Sequence, residues 1–147
     1  MAELMDTLLA TSTFHVEIDQ VTIASFKKVS GIESESEIIE YKEVADGKVI
    51  TRKMPGQVTY SDIELAKCID ADTYLWEWRR MVEEGDIQGA RRNGSIVALD
   101  SMMDEVARWN FFNGWISKWS GAEFDAEANE VALETVTIAH EKVERVK

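Results

Sequence analysis

Trp109 to His140, WNFFNGWISKWSGAEFDAEANEVALETVTIAH, carries three of the five tryptophans and a Phe111-Phe112 pair before it runs into a segment rich in Val and Thr. Each aromatic ring buries roughly 150–250 Å² once enclosed. These rings therefore close the protein's own core or meet a neighbouring subunit. Val106 to Phe112 reads as a strand, with Gly114 breaking or bending it. Glu130 to His140 fits either a helix or a strand by pattern. The β-branched Val131, Thr135, Val136, Thr137 and Ile138 decide for a strand.

Upstream, Phe14, Val16 and Ile18 alternate with His15 and Glu17, the pattern of a half-buried strand. Asp19-Gln20 turns it into Val21–Ile23, although Gln lacks the freedom of glycine at positive φ. Glu33, Glu35 and Glu37 share one phase of an extended segment, with Ser34, Ser36 and Ile38 on the other. Such a row faces water, either as an edge that resists aggregation or as the wall of a water-filled space. Ala45-Asp46-Gly47-Lys48 is a strong turn signal. It joins two arms of a long hairpin over about 37–54, which Met54-Pro55-Gly56 should stop. Residues 57–67 resume a strand, with a change of phase at Ser61-Asp62.

Residues 70–84 form the one clear helix expected. Asp70 or Asp72 can cap it, and Tyr74, Leu75, Trp78, Met81 and Val82 make one apolar stripe. Gly85 ends it. Residues 91–99 lead into a strand that Asp100 to Asp104 turns back. Leu4, Met5, Leu8 and Leu9 belong to a short N-terminal arm over 1–12. These elements, about seven strands and one helix, make a mainly β chain folded as an antiparallel sandwich or barrel.

The 147 residues suit a single domain. Charge is −12, which repels nucleic acid and anionic lipid and argues against specific nucleic-acid binding. No apolar run reaches the ~18 residues of a membrane helix. The N-terminus lacks the basic and apolar regions of a secretory signal. Cys68 is the sole cysteine, in keeping with a reducing compartment.

Motifs for chemistry are sparse. The chain has no phosphate loop, dinucleotide fingerprint, CxxC or HExxH, so no cofactor, metal or catalytic residue is expected. Cys68 with His15 or His140 would make a nucleophile only if the fold brought them together. Asp100, Asp104 and Glu105 do not follow the EF-hand spacing and read as a solvated turn. Arg91 and Arg92 are expected to pair with acids, on this chain or a neighbour. Trp109, Trp115 and Trp119 could instead line a barrel that holds a small apolar ligand.

The segments FHVEIDQVTIASFKKVSGIESESEIIEY, KMPGQVTYSDIELAK, RRNGSIVALD, WNFFNGWISKW and DAEANEVALETVTIAHE, in this order and spacing, resemble the inner tube proteins of contractile phage tails and contractile injection systems. The type VI secretion tube protein is a further relative of that family. The likeness runs from about Phe14 to Val146. It departs at Gln20, Lys67-Cys68 and Ile116, where the family often has a glycine, an Arg-Gly pair and a proline.

The resemblance implies a non-enzymatic structural subunit of two antiparallel sheets packed as a barrel with one flanking helix. Hexameric rings of it would stack into a rigid tube inside a contractile sheath, and sheath shortening would drive that tube through a target membrane. The implied partners are further copies of itself, the sheath protein, baseplate or spike proteins, a tube terminator, and DNA or effector protein in the lumen. The subunit would be made in the bacterial cytoplasm and end in a phage tail or an injection particle. On this reading Glu33, Glu35 and Glu37 face the lumen. The hairpin residues Tyr41, Lys42, Asp46, Gly47, Lys48 and Arg52 touch the adjacent ring.

Overall fold

The computed structural model describes residues 13–23, 26–127 and 129–147; the arm expected over 1–12 lies outside the described residues. In chain order the elements are β1 (Phe14–Ile18), β2 (Val21–Ile23), β3 (Phe26–Ser30), β4 (Ser34–Ala45), β5 (Lys48–Tyr60), β6 (Ile63–Cys68), α1 (Tyr74–Glu83), α2 (Ile87–Ala90), β7 (Arg92–Leu99), β8 (Glu105–Ser120), β9 (Leu133–Ala139) and β10 (Lys142–Arg145). The strands of the body follow the antiparallel path β2-β1-β7-β8-β9-β6-β3, with β10 also on β8. Strands β4 and β5 form a sheet of their own.

The aromatic stretch does organise the body, because β8 belongs to both layers. Its first half lies between β7 and β10, and its second half pairs with β9. The strand changes layer at a bulge. Asn113 takes φ 53° there, and its N–H donates to the Asn93 side-chain oxygen at 3.0 Å. Gly114 bends the strand without breaking it. A Cβ at that position would lie 2.7 Å from the Phe111 ring, so glycine is what allows the ring to fold back under the bend. Across the bulge the buried positions switch phase, from Ala107 and Phe111 to Gly114 and Ile116.

Between the layers lies one core, with Val16, Ile18, Ile63, Leu65, Phe111, Ile116, Val136 and Ile138 all buried. Helix α1 closes it with Leu75 and Trp78. The Trp78 indole N–H donates to the Ala90 carbonyl at 2.5 Å, which ties α1 to α2. Arg79 reaches from α1 to the Ile116 carbonyl at 2.8 Å, occupying a backbone acceptor of β8. Arg92 meets the expectation of an acidic partner, with Asp19 at 3.7 Å, and its guanidinium lies over the Tyr74 and Trp78 rings.

Several sequence expectations change. The helix begins at Tyr74, not near residue 70. Asp70 is engaged by the Lys67 ammonium at 2.8 Å and by the Asp72 N–H at 2.9 Å. Those contacts build a turn ahead of the helix, and Thr73, the residue at the N-cap, makes no side-chain cap. Gly85 ends the helix as expected, at φ 86°. Asp19 and Gln20 both accept positive φ, 51° and 66°, so the opening turn forms without glycine. Asn93-Gly94 lies inside β7, in keeping with the strand expected from 91–99. Strands β3 and β10 and helix α2 were not anticipated: FKKVS, KVER and IQGA carry neither an alternation nor an apolar stripe.

The largest correction concerns the hairpin. Its arms run over Ser34–Ala45 and Lys48–Tyr60, well beyond the expected 37–54. Met54-Pro55-Gly56 does not stop the second arm. Pro55 pairs with Ile38 at a register shift, with Gly56 and Gln57 bulged opposite Glu37. Each strand of a two-stranded ribbon has a free edge, so the missing N–H of proline costs no ladder bond.

One ion cluster on the body titrates in an interpretable direction. Arg108 donates to Glu17 at 2.6 Å and also bonds Glu105. The Arg108 hydrogen bond, against the opposing effect of burial, holds the Glu17 carboxyl below its usual 4.5. A carboxylate depressed in the folded state contributes stability that is complete above its unfolded value and is lost as pH falls through the folded value. The parent should therefore melt a few degrees above Glu17→Gln at pH 7, and the gap should close as pH is lowered from about 4.5 toward 3. Paired thermal melts across that range check this.

Candidate functional site

The β4–β5 ribbon has a sequence built for contact and no packed partner element among the described residues. Its arms of 12 and 13 residues extend about 40 Å at the rise of a strand. Ribbon strands meet each other and scarcely touch the rest of the molecule. Yet Ile38, Ile39, Tyr41, Val44, Val49, Ile50, Met54 and Val58 are all exposed, Val44 to 73%. Scattered exposed apolar residues are ordinary, but a contiguous run of them marks an interaction site.

Register assigns them to both faces. Ile39 with Met54, Tyr41 with Arg52, and Glu43 with Ile50 lie on one face. Ile38 with Pro55, Lys42 with Thr51, and Val44 with Val49 lie on the other. A ribbon apolar on two faces cannot be satisfied by folding one face onto its own body. Its ion pairs, Arg52–Glu43 at 3.0 Å and Lys53–Glu40 at 3.9 Å, are exposed and contribute little. At the tip, Asp46 and Gly47 take φ 51° and 73°, the two positive values of a type I′ turn. All six residues expected to stack, Tyr41, Lys42, Asp46, Gly47, Lys48 and Arg52, thus sit on the outer half of the ribbon, exposed.

The root is narrow and specifically built. Gly31 stands at φ 91° with its α-carbon so close to β6 that a Cβ would meet the Asp62 carbonyl at 2.0 Å. The Ser61 N–H donates to the Glu33 carbonyl at 3.3 Å, and its hydroxyl to the Glu33 carboxylate at 3.1 Å. His140 Nε2 lies 2.8 Å from the Ser61 carbonyl. A carbonyl only accepts, so Nε2 is the donor. Glu33 precedes β4 and is drawn into this root, whereas Glu35 and Glu37 continue along β4. All three remain exposed.

The residues considered for chemistry are dispersed. Cys68 and His140 stand near opposite ends of the β6–β9 pair, since Cys68 faces Leu133 and Ile63 faces Ile138. That separates them by roughly 20 Å at the rise of a strand. His15 lies 3.5 Å from Glu17 on β1. An Asp100 carboxylate oxygen accepts the Met102 and Asp104 N–H groups, so that acid shapes the β7–β8 turn. The tryptophans divide their work. Trp115 and Trp119 pack on the core, Trp119 donates to Glu134 at 2.9 Å, and Trp109 lies under the Arg145 guanidinium.

A closed core with a long apolar ribbon held outside it defines a protein made to be covered by other copies or partners. The chain belongs to the T4-like virus tail tube protein gp19 family, whose model matches residues 10–144; it is a structural tube subunit. No individual curated protein sequence matches it at a significant level. Among solved structures it is similar to a chain of the sheath/tube terminator of the extracellular contractile injection system PVC, with TM-score 0.84, 24% identity, and coverage of 95% of this chain and 97% of that one. A chain of the PVC sheath-tube complex gives TM-score 0.82 at 23% identity, over 95% and 91% of the two chains. Hcp1 from Flavobacterium johnsoniae gives 0.58 at 15%, over 90% and 94%. These likenesses describe the fold. No described helix is long and apolar enough to cross a membrane.

Proposed function

We propose that six copies join into a ring and that rings stack into a hollow tube within a contractile sheath. The observation that carries this reading is the ribbon, apolar on both faces and left uncovered by the described residues. A ring stack places a neighbour on either face. Six-fold closure follows the family, and the short outer strands β2, β3 and β10 are the edges through which neighbours in a ring would continue one another's sheets. The sheath, a baseplate and a terminating cap are its proposed partners. Similar chains come from a sheath-tube complex, a tube-terminating cap and a baseplate.

The lumen conducts DNA or protein cargo, and Glu33, Glu35 and Glu37, all exposed near the root of the ribbon, form its acidic band. Like charge keeps DNA from adhering in transit. Negative-stain microscopy of the purified protein tests the proposal. Rings about six subunits around and tubes built from them are the expected result. A monomer that persists at millimolar concentration would overturn it.

A further inference from the structure

Glu134 is a buried carboxylate with no cation beside it among the described residues. It lies on β9 in phase with Val136 and Ile138 and is 9% exposed. A buried carboxylate is costly unless it is paired and hydrogen-bonded. Its Oε2 accepts from the Trp119 indole N–H at 2.9 Å, and among the described residues no donor reaches Oε1. The cation best placed to pair with it is Lys67, its register partner on β6 and itself 1% exposed. The Lys67 ammonium goes elsewhere, to the Asp70 carboxylate at 2.8 Å and the Cys68 carbonyl at 3.4 Å. Lys67 and Asp70 therefore satisfy each other, and Glu134 is left with one neutral N–H.

That carboxylate lines a recess. Ile69, Trp76, Trp119 and Glu134 bound a concavity of about 310 Å³ where β6 runs out toward α1, and Asp72 adds a second carboxylate to it. The Trp76 and Trp119 rings meet at 56° with centroids 4.9 Å apart, so they form a corner rather than a stack. Trp76 is 37% exposed, which leaves the corner open to solvent. A recess of this volume is at the small end for ligand sites and suits one charged group with a short alkyl stem. An aromatic corner beside a carboxylate attracts a cation twice, through the ring quadrupole and through a charge-assisted hydrogen bond. A divalent metal ion wants six or more oxygens, and the indoles supply none.

We propose that this recess binds a guanidinium group, laid on the Trp76 ring and donating to the free oxygen of Glu134. A planar guanidinium meets both demands at once, because it stacks on an aromatic face while its N–H groups point outward in the plane toward a carboxylate. Ile69 packs against the alkyl stem. The group arrives either as a free alkylguanidinium or as the arginine side chain of another protein, since both present the same atoms. The recess is complete within one subunit, so the inference goes beyond the stacked-ring reading and does not depend on it.

Titration of the purified full-length chain with ethylguanidinium chloride, followed by the Trp119 indole N–H resonance, tests it. The expected result is a saturable shift with Kd on the order of 1 mM. Binding should weaken at least about fivefold in Glu134→Gln, which keeps an acceptor for Trp119, and in Trp76→Leu, which keeps apolar bulk without the π face. Circular dichroism checks that each variant folds. Glu134→Gln should also melt no lower than the parent, because it removes a buried charge that lacks a counter-ion; if it does not fold, Trp76→Leu, at an exposed position, decides. An end-blocked Gly-Arg-Gly peptide separates the sources. An affinity at least about fivefold above that of ethylguanidinium assigns the recess to a protein side chain, and an equal or lower one to a free guanidinium. The citrulline counterpart of that peptide, uncharged and of similar shape, should not bind. Absence of saturation by about 50 mM ethylguanidinium, a Kd that either folded variant leaves unchanged, or citrulline binding as tight as arginine would each overturn the proposal.

Discussion

Removing Glu40–Lys53 and joining Ile39 to Met54 through an Asn-Gly turn should leave a subunit that melts within about 2 °C of the parent and forms no tubes. Ile39 and Met54 are direct partners across the ribbon, so a two-residue turn closes the shortened hairpin without strain. The body loses little, because among the described residues none of the outer ribbon belongs to the core. The assembly loses Tyr41, Val44, Val49 and Ile50, all exposed in the subunit. Fully burying a side chain of that size is worth about 1.5–3 kcal/mol. If only a quarter of that is realised, each subunit forfeits about 2 kcal/mol and a ring of six about 12 kcal/mol. No accessible protein concentration recovers such a loss. Sedimentation and microscopy should find rings alone, and normal tubes from this variant would end the stacking account.

Trp78→Ala should act on the opposite property. Trp78 is fully buried among the core residues and its indole N–H is bonded to the Ala90 carbonyl. Truncation removes the largest buried side chain of α1, leaves a cavity under the helix and orphans a buried acceptor. The expected cost is about 3–5 kcal/mol. For a chain of this size that lowers the melting temperature by roughly 10 °C or more. Thermal melts of the isolated subunit measure it. A change of only one or two degrees would mean that α1 is not a necessary wall of the core. The two variants separate assembly from folding, since one spares the subunit and destroys the tube while the other weakens the subunit itself.

Much of the ribbon was legible in the sequence. Asp46-Gly47 marked the tip by turn chemistry, and Tyr41, Lys42, Lys48 and Arg52 fell on the arms beside it. The length of the ribbon was misjudged because Pro55 and Gly56 ordinarily end a strand, and only pairing with Ile38 shows the bulge that admits them.

Alternation, β-branched content and turn residues by themselves determined that Phe14–Ile18, Ile63–Cys68 and Leu133–Ala139 are strands and that one helix separates two groups of them. Those signals are local, set by which side chains can share a face within a few residues. Tertiary structure alone decided where β8 changes layer, and that the apolar residues of 38–58 find no cover among the described residues. An apolar side chain has the same pattern whether it is meant for its own core or for another molecule, because water is excluded equally by both. Only the placement of the ribbon outside a completed core distinguishes the two.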